Sequence, residues 1–190
     1  MVRVERVADT RNRTGEGPLW HPDEQRLYWV DIPPGRLFAY DPASDDHEVI
    51  YETGGDPIGG FTIEADGSVL LFTDRTVERL VPGEASTTVV SEIEATTRFN
   101  DVIADPAGRV FCGTMPGEES LGNLHRFDTD GRATVVVPDV DIPNGMGVSR
   151  DRDRFYFTET EERRIDAYDY DPETGTLSNR TTFHDVPTGA

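Results

Sequence analysis

The sequence contains no lysine and few basic residues of any kind. Its 18 basic residues are all arginine, 37 residues are Asp or Glu, and the formal net charge is −19. Such a charge repels the phosphates of nucleic acids and the head groups of anionic lipids. The carboxylates are spread between apolar, strand-like runs, which is typical of a solvated surface and not of a disordered acidic tail. We therefore expect neither a nucleic-acid partner nor a membrane partner.

Cysteine and long apolar runs are equally scarce. The single cysteine, Cys112, cannot form an internal disulfide, and its apolar neighbours predict a small buried side chain. No apolar run approaches the length of a membrane-spanning helix. The N-terminal segment is not a secretory signal, because it carries charges at Arg3, Glu5, Arg6 and Asp9. The sequence predicts a cytoplasmic protein.

Several common catalytic motifs are also missing. The sequence has no Gly-x-Ser-x-Gly elbow, no His-Glu-x-x-His zinc motif and no phosphate-binding glycine loop. The histidines follow no metal-ligand spacing, so we expect a surface or core position for each of them: His21, His47, His125 and His184.

An internal repeat organises the chain. Four similar segments begin at Gly17 (GPLWHPDEQRLYWVD), Gly59 (GGFTIEADGSVLLFTD), Asn100 (NDVIADPAGRVFCGT) and Asn144 (NGMGVSRDRDRFYFTE). In each, a short apolar stretch meets a turn rich in Asp, Pro, Gly or Arg, and a strand of aromatic and β-branched residues follows. This pattern predicts a β-hairpin in every segment.

The length of the repeat indicates the fold class. The strand starts Leu27, Val69, Val110 and Phe155 are 42, 41 and 45 residues apart, which matches a four-stranded propeller blade. A second pair of alternating strands often follows, so each unit supplies about four strands. We predict an all-β fold without helices, in which residues 1–190 form a single β-propeller domain with about four blades.

The residues at the heads of the four units are candidates for a shared site. These heads are Glu16, Gly59, Asn100 and Asn144, at 10 or 11 residues before each strand start. Rotation about a propeller axis brings equivalent positions of successive blades to one ring in the channel. Glu16 and Asn144 then offer oxygen ligands, which suit Ca²⁺, Mg²⁺ or Mn²⁺, with Zn²⁺ possible. The alternative is that Asn100 and Asn144 are turn residues that tolerate left-handed backbone conformations.

Specific motifs extend along the whole chain. TGEGPLWHP, RFNDVIADPAGRVFCGTM and DIPNGMG, followed by IDAYDYDPETGTLSNR, resemble the senescence marker protein/gluconolactonase/luciferin-regenerating enzyme family, which includes regucalcin. The resemblance implies a six-bladed propeller with one divalent metal in its channel, of which this chain is the N-terminal two-thirds. It also implies metal-dependent hydrolysis of a sugar lactone.

The resemblance assigns roles to individual residues. The metal ligands of the family fall on Glu16 of GEGP and Asn144 of PNG. Its substrate contacts fall on Arg98 and Asn100 of RFND and on Glu118 after GTM, although Glu119 is adjacent. These side chains suit a polyhydroxylated substrate, since arginine donates in a fork, asparagine donates and accepts, and a carboxylate accepts from hydroxyls. The alternative for Arg98 is a surface ion pair.

The general base of the family has no counterpart in this sequence. In the family it is an aspartate of a PDG motif, which is also a metal ligand, and we expect it to lie beyond Ala190 in a truncated chain. Asp101 is the nearest substitute, but adjacent residues of a strand point to opposite faces, so we do not expect it to serve. A complete four-bladed module that binds a metal, a sugar or a protein without turnover is the alternative to a lactonase.

We predict that folding requires molar salt. Screening has to offset the repulsion among 37 carboxylates in one domain, and such a composition indicates a salt-rich cytoplasm. An ordinarily acidic protein is the alternative. Circular dichroism should show an unfolding transition that moves to higher temperature as NaCl is raised. A transition equally stable in dilute buffer contradicts the halophilic interpretation.

We also predict self-association. A propeller that lacks two blades exposes apolar faces and strand edges on its first and last sheets. Light scattering should therefore detect oligomers or aggregates. A monodisperse monomer would instead favour the closed four-bladed module.

Overall fold

The computed structural model describes residues 3–81, 83–90 and 97–187, which contain sixteen β-strands and no helix. The strands form four antiparallel sheets of four, and each sheet is a meander of consecutive strands. This arrangement confirms the prediction of an all-β propeller with four blades in this chain. In the same residues, no helix is long and apolar enough to cross a membrane.

The blades follow one another along the sequence. The first blade contains β1 (Gly15–His21), β2 (Arg26–Asp31), β3 (Arg36–Asp41) and β4 (Asp46–Glu52). The second contains β5 (Gly60–Ile63), β6 (Val69–Phe72), β7 (Val77–Leu80) and β8 (Thr87–Val90). The third contains β9 (Phe99–Ala104), β10 (Val110–Thr114), β11 (Gly122–Phe127) and β12 (Ala133–Val140). The fourth contains β13 (Pro143–Val148), β14 (Arg154–Glu159), β15 (Arg164–Tyr170) and β16 (Leu177–Asp185).

The first strand of each blade is its innermost strand. Contacts between neighbouring blades join β1 to β5, β5 to β9 and β9 to β13. The last strands β4, β8 and β16 are mostly exposed, whereas the middle strands carry the buried positions. The heads of the four units therefore lie on the inner strands or directly before them.

The core lies between the blades in three clusters. One joins the first and second blades around Val30 and Leu71, and another joins the third and fourth around Phe111 and Phe155. Between them, Phe72, Phe99 and Phe127 pack edge to face with ring centroids 5.3 to 6.0 Å apart. Alternating strand residues thus bury one apolar face of each sheet against the next blade.

A buried ion pair joins the third blade to the fourth. The Asp105 carboxylate accepts hydrogen bonds from Arg109 Nε at 2.6 Å and from the Tyr170 hydroxyl at 2.7 Å. Arg109 also donates to the Pro172 and Glu173 carbonyl oxygens at 2.7 and 2.8 Å. Burial alone would raise the pKa of Asp105, but the bonds from Arg109 and Tyr170 lower it below its ordinary value.

We predict that removing one partner of this buried ion pair costs much more stability than breaking an exposed one. Arg109→Ala leaves the Asp105 carboxylate buried without its partner and should lower the free energy of unfolding by about 3–5 kcal/mol. Arg154→Ala is the matched control, because Arg154 pairs with Asp169 at the surface, and its cost should be below about 1 kcal/mol. Denaturant titration at neutral pH measures both, and equal midpoints contradict the prediction.

The same ion pair makes the stability of the fold depend on pH in the acid range. Because the folded-state pKa of Asp105 is lowered, its contribution is complete above the unfolded-state pKa and is lost as the pH falls through the folded-state value. The difference between the wild type and Arg109→Ala should therefore shrink under acid conditions. A difference independent of pH would exclude Asp105 as the titrating partner.

Candidate functional site

The four unit heads line one cavity of about 380 Å³ on the inner side of the strands. Glu16, Gly59, Asn100 and Asn144 all contribute to its wall, and Arg98 and Asp101 join them. Glu16 pairs with Val30 across β1 and β2, and Asn144 pairs with Thr158 across β13 and β14. Equivalent positions of the repeat therefore meet in space, although they are more than forty residues apart in sequence.

Glu16 presents a free carboxylate to this cavity. A bulge follows it in β1, and the next residue, Gly17, has a φ of 59°. The side chain is exposed, and among the described residues it makes no hydrogen bond or ion pair. A carboxylate with this freedom can accept a ligand without breaking an existing contact.

Among the described residues, the Asn144 side chain makes two long hydrogen bonds. Its Nδ2 lies 3.4 Å from Thr160 Oγ1, and its Oδ1 accepts the Gly145 N–H at 3.2 Å. The interpretation of Asn100 and Asn144 as left-handed turn residues is wrong, because neither has a positive φ. The positive values, 57° and 40°, belong to the residues that follow them, Asp101 and Gly145.

Arg98 and Asn100 form a connected pair. Arg98 Nη1 donates to Asn100 Oδ1 at 2.9 Å and to the Phe99 carbonyl oxygen at 2.8 Å. Asn100 is 8% exposed, and its Nδ2 donates to the Pro143 carbonyl oxygen of the next blade at 2.8 Å. Burial lowers the pKa of Arg98. In the described part of the chain, the Arg98 guanidinium binds the Phe99 carbonyl oxygen and the Asn100 amide oxygen and forms no ion pair.

Asp101 faces the same cavity, contrary to the expectation from strand alternation. In the ladder between β9 and β10, Cys112 pairs with Val102 and Gly113 pairs with Asn100, so Asp101 is the extra residue of a bulge. The bulge and the φ of 57° turn its side chain to the side that Asn100 occupies. The presence of Asp at position 101 was an indication of this conformation in the sequence, since Asp tolerates a positive φ better than most residues.

The Asp101 carboxylate is engaged by a backbone donor of its own strand. It accepts the Val102 N–H at 2.9 Å. Burial raises the pKa of Asp101, and the negative charge of Glu16 acts in the same direction. The two carboxylates therefore share one partly desolvated space.

Two other predicted positions lie elsewhere. Glu118 and its neighbour Glu119 are exposed in the bend after β10, and Glu118 does not reach the cavity wall. Cys112 is fully buried beneath the site, as predicted, and burial raises the pKa of its thiol. No group of three or more His, Cys, Asp or Glu side chains suited to a metal occurs within residues 3–81, 83–90 and 97–187.

The composition of the cavity suits a small polar ligand. Its volume lies in the range of small-molecule sites, which is about 300–1,000 Å³. It offers oxygen donors from Glu16 and Asn144, a guanidinium from Arg98 and an oriented amide from Asn100. Such a set can hold a hard cation and bind hydroxyl or carbonyl oxygens beside it.

Comparisons with known proteins cover nearly the whole chain. Residues 14–190 match the SMP-30/Gluconolactonase/LRE-like region. Pentonolactonase XacC of Haloferax volcanii is 56% identical over 187 residues, which are 98% of this chain and 63% of that protein. Regucalcin of Gallus gallus is 30% identical over 193 residues, which cover 96% of this chain and 64% of the relative. The chain thus spans less than two-thirds of the length of these relatives.

A solved structure shares the fold. The calcium-binding protein regucalcin of Agrobacterium tumefaciens superposes with a TM-score of 0.82 at 23% identity, over 93% of this chain and 61% of that one.

Proposed function

The chain belongs to the SMP-30/Gluconolactonase/LRE-like family, and from this membership we propose that it acts in the hydrolysis of a sugar lactone. What supports the proposal most is that Glu16, Arg98, Asn100 and Asn144 line one cavity. Their chemistry matches a substrate with an ester carbonyl and several hydroxyls. The name of its relative at 56% identity, a pentonolactonase, favours a small aldonolactone.

We propose that Glu16 and Asn144 hold one divalent cation, which is Ca²⁺, Mg²⁺, Mn²⁺ or Zn²⁺. The donors fit such an ion, because in the described part of the chain Glu16 makes no hydrogen bond and the Asn144 Oδ1 accepts a single long bond, from Gly145. Oxygen donors favour hard cations, and two protein ligands alone give weak binding. When bound there, the cation supplies Lewis acidity toward the ester carbonyl.

The substrate is positioned by Arg98 and Asn100 in this proposal. Arg98 uses Nη1 on Phe99 and Asn100, so its remaining N–H groups can donate to lactone oxygens. Asn100 retains one N–H and one lone pair beyond its hydrogen bonds with Arg98 and Pro143. Glu118 contributes a substrate contact only after the bend at residues 117–120 moves toward the cavity.

The proton acceptor is the part of the mechanism that these residues do not supply. Hydrolysis requires a base for the attacking water, and the family provides it from a PDG motif that is absent from this sequence. Of the carboxylates in the cavity, Glu16 is assigned to the cation and Asp101 accepts the Val102 N–H. We propose that residues 1–190 tested alone hydrolyse lactones slowly.

We predict that adding a segment that carries the PDG motif of the family raises the lactonase activity. A chimera that joins residues 1–190 to the remaining part of the pentonolactonase relative should hydrolyse a pentonolactone about 10²–10⁴-fold faster than the 190-residue chain, the usual contribution of a general base. In the chimera, Glu16→Gln, Asn144→Ala or chelation of the cation should abolish the activity. Asp23→Asn changes an exposed carboxylate in the turn between β1 and β2, away from the cavity, and is the control that should retain the activity. The activity of each protein is measured as the release of acid from the lactone, followed with a pH indicator.

The opposite outcomes are equally informative. Full activity of the 190-residue chain would show that another of its carboxylates acts as the base. A chimera that binds Ca²⁺ and sugar but never turns over would support the alternative of a non-catalytic propeller that binds a metal, a sugar or a protein partner.

We propose the cellular environment and the class of partner that the composition favours. The acidic surface supports a salt-rich cytoplasm and a small-molecule partner instead of nucleic acid or membrane. Self-association is supported by apolar side chains on the terminal blades, since Trp20 of β1 is 44% exposed and Phe183 of β16 is 62% exposed.

A further inference from the structure

One buried carboxylate binds the backbone that leads into Asn144. Glu159, the last residue of β14, accepts the N–H groups of Asp141 and Ile142 at 2.8 and 2.9 Å, one on each of its oxygens. The Ile142 carbonyl oxygen in turn accepts the Thr160 N–H at 3.1 Å. These hydrogen bonds fix the two residues before β13 to the end of β14.

The first blade repeats this arrangement before Glu16. Asp31, the buried last residue of β2, accepts the N–H groups of Arg13 and Thr14 at 3.2 and 2.9 Å, again one on each oxygen. The Thr14 carbonyl oxygen accepts the Ile32 N–H at 3.0 Å. In both blades the acidic residue pairs in its ladder with the residue directly before the unit head. The two carboxylates therefore occupy the same position of the repeat.

The third blade has threonine at this position, and its head is held differently. Thr114 pairs with Phe99, the residue before the head, and its hydroxyl accepts the Asn123 N–H at 3.0 Å. The head itself, Asn100, is fixed by its own amide, whose nitrogen donates to the backbone of the fourth blade and whose oxygen accepts from Arg98. A cation ligand cannot use its oxygen in this way, because that oxygen has to stay free for the ion. Its position has to be set through the backbone.

The strand ladder fixes these two heads on one side only. In β1 and β13 the register shifts directly after the head, and the next residues, Gly17 and Gly145, have positive φ values of 59° and 40°. A bulge of this kind interrupts the ladder locally. The hydrogen bonds to Asp31 and Glu159 then supply the constraint on the other side of each head.

We propose that Asp31 and Glu159 are positioning residues for the cation site. Each sets the place of one ligand, Glu16 or Asn144, through the backbone that precedes it. The proposal rests on the proposed function, in which these two heads bind the cation. Neither carboxylate is itself a ligand, because its oxygens already accept backbone N–H groups and its side chain does not line the cavity. Groups that orient metal ligands typically change the metal affinity about 10- to 100-fold when they are altered.

The test uses variants that keep the size of each side chain. Asp31→Asn and Glu159→Gln replace one oxygen by an amide nitrogen, which cannot accept the N–H group that faces it. Asp105→Asn is the matched control. Asp105 is also buried and accepts the N–H groups of Ala107 and Arg109 at 2.8 and 3.0 Å, but it lies in the turn between β9 and β10, away from the cavity. It therefore reports what a general loss of stability does to cation binding.

Ca²⁺ affinity is measured by titration calorimetry on the 190-residue chain at fixed high salt. We expect about 10- to 100-fold weaker binding in Asp31→Asn and in Glu159→Gln, and no change in Asp105→Asn. In the absence of Ca²⁺, the Ile142 amide proton resonance should move upfield in Glu159→Gln, because a charged acceptor is replaced by a neutral group. If an amide variant does not fold, Asp31→Glu or Glu159→Asp carries the same comparison, since each keeps the charge but moves the carboxylate by one methylene group.

Double-mutant cycles separate positioning from long-range charge. In the Asn144→Ala background, Glu159→Gln should cause no further loss of Ca²⁺ affinity, whereas Asp31→Asn should still weaken binding through Glu16. A further loss from Glu159→Gln in that background would overturn the proposal, because the carboxylate would then act on the cation through its charge.

The single variants distinguish this proposal from the proposed function. Unchanged affinity in Asp31→Asn and Glu159→Gln, or an equal loss in Asp105→Asn, overturns the positioning role alone. Unchanged affinity in Glu16→Gln and Asn144→Ala would instead refute the cation ligands of the proposed function, and the positioning role with them.

Discussion

A Cβ atom on Gly59 would lie 2.1 Å from the Phe99 carbonyl oxygen, and one on Gly113 would lie 2.4 Å from Pro143 Cβ. The inner strands of the second, third and fourth blades can approach this closely only because glycine occupies both positions. The approach allows the Asp101 N–H to donate to the Gly59 carbonyl oxygen at 3.0 Å across the blades. It also brings the unit heads around a cavity small enough for one ligand to reach several of them.

On two different blades, a buried carboxylate binds the backbone just before a proposed cation ligand. Asp31, at the end of β2, accepts the N–H groups of Arg13 and Thr14 at 3.2 and 2.9 Å. Glu159, at the end of β14, accepts those of Asp141 and Ile142 at 2.8 and 2.9 Å. The second donor of each pair lies two residues before a unit head, since Thr14 precedes Glu16 and Ile142 precedes Asn144. The first and fourth repeats of this chain therefore share the carboxylate that supports the unit head, in addition to the position of the head itself.

The regular part of the molecule was predictable from the sequence, because a repeat of 41 to 45 residues with hairpin patterns has few structural solutions. The convergence of the heads followed from rotation about one axis. The orientation of Asp101 was not predictable from alternation, since that rule assumes an uninterrupted ladder and the bulge at Asp101 breaks it. The substrate contact expected of Glu118 stays a prediction. Glu118 follows β10 in an exposed bend, where neither strand period nor blade symmetry fixes a side chain.

Asn100 illustrates how packing and recognition are joined in this site. Its amide nitrogen binds the Pro143 carbonyl oxygen of the fourth blade, and its amide oxygen accepts from Arg98. A change at Asn100 therefore loosens the blade that carries Asn144 and frees the guanidinium at the same time. The amide-backbone bond is buried, so its loss leaves a buried polar group without its partner. The third blade consequently acts as the frame of the site, because it supplies proposed substrate contacts and also braces the segment of the neighbouring blade that would hold the cation.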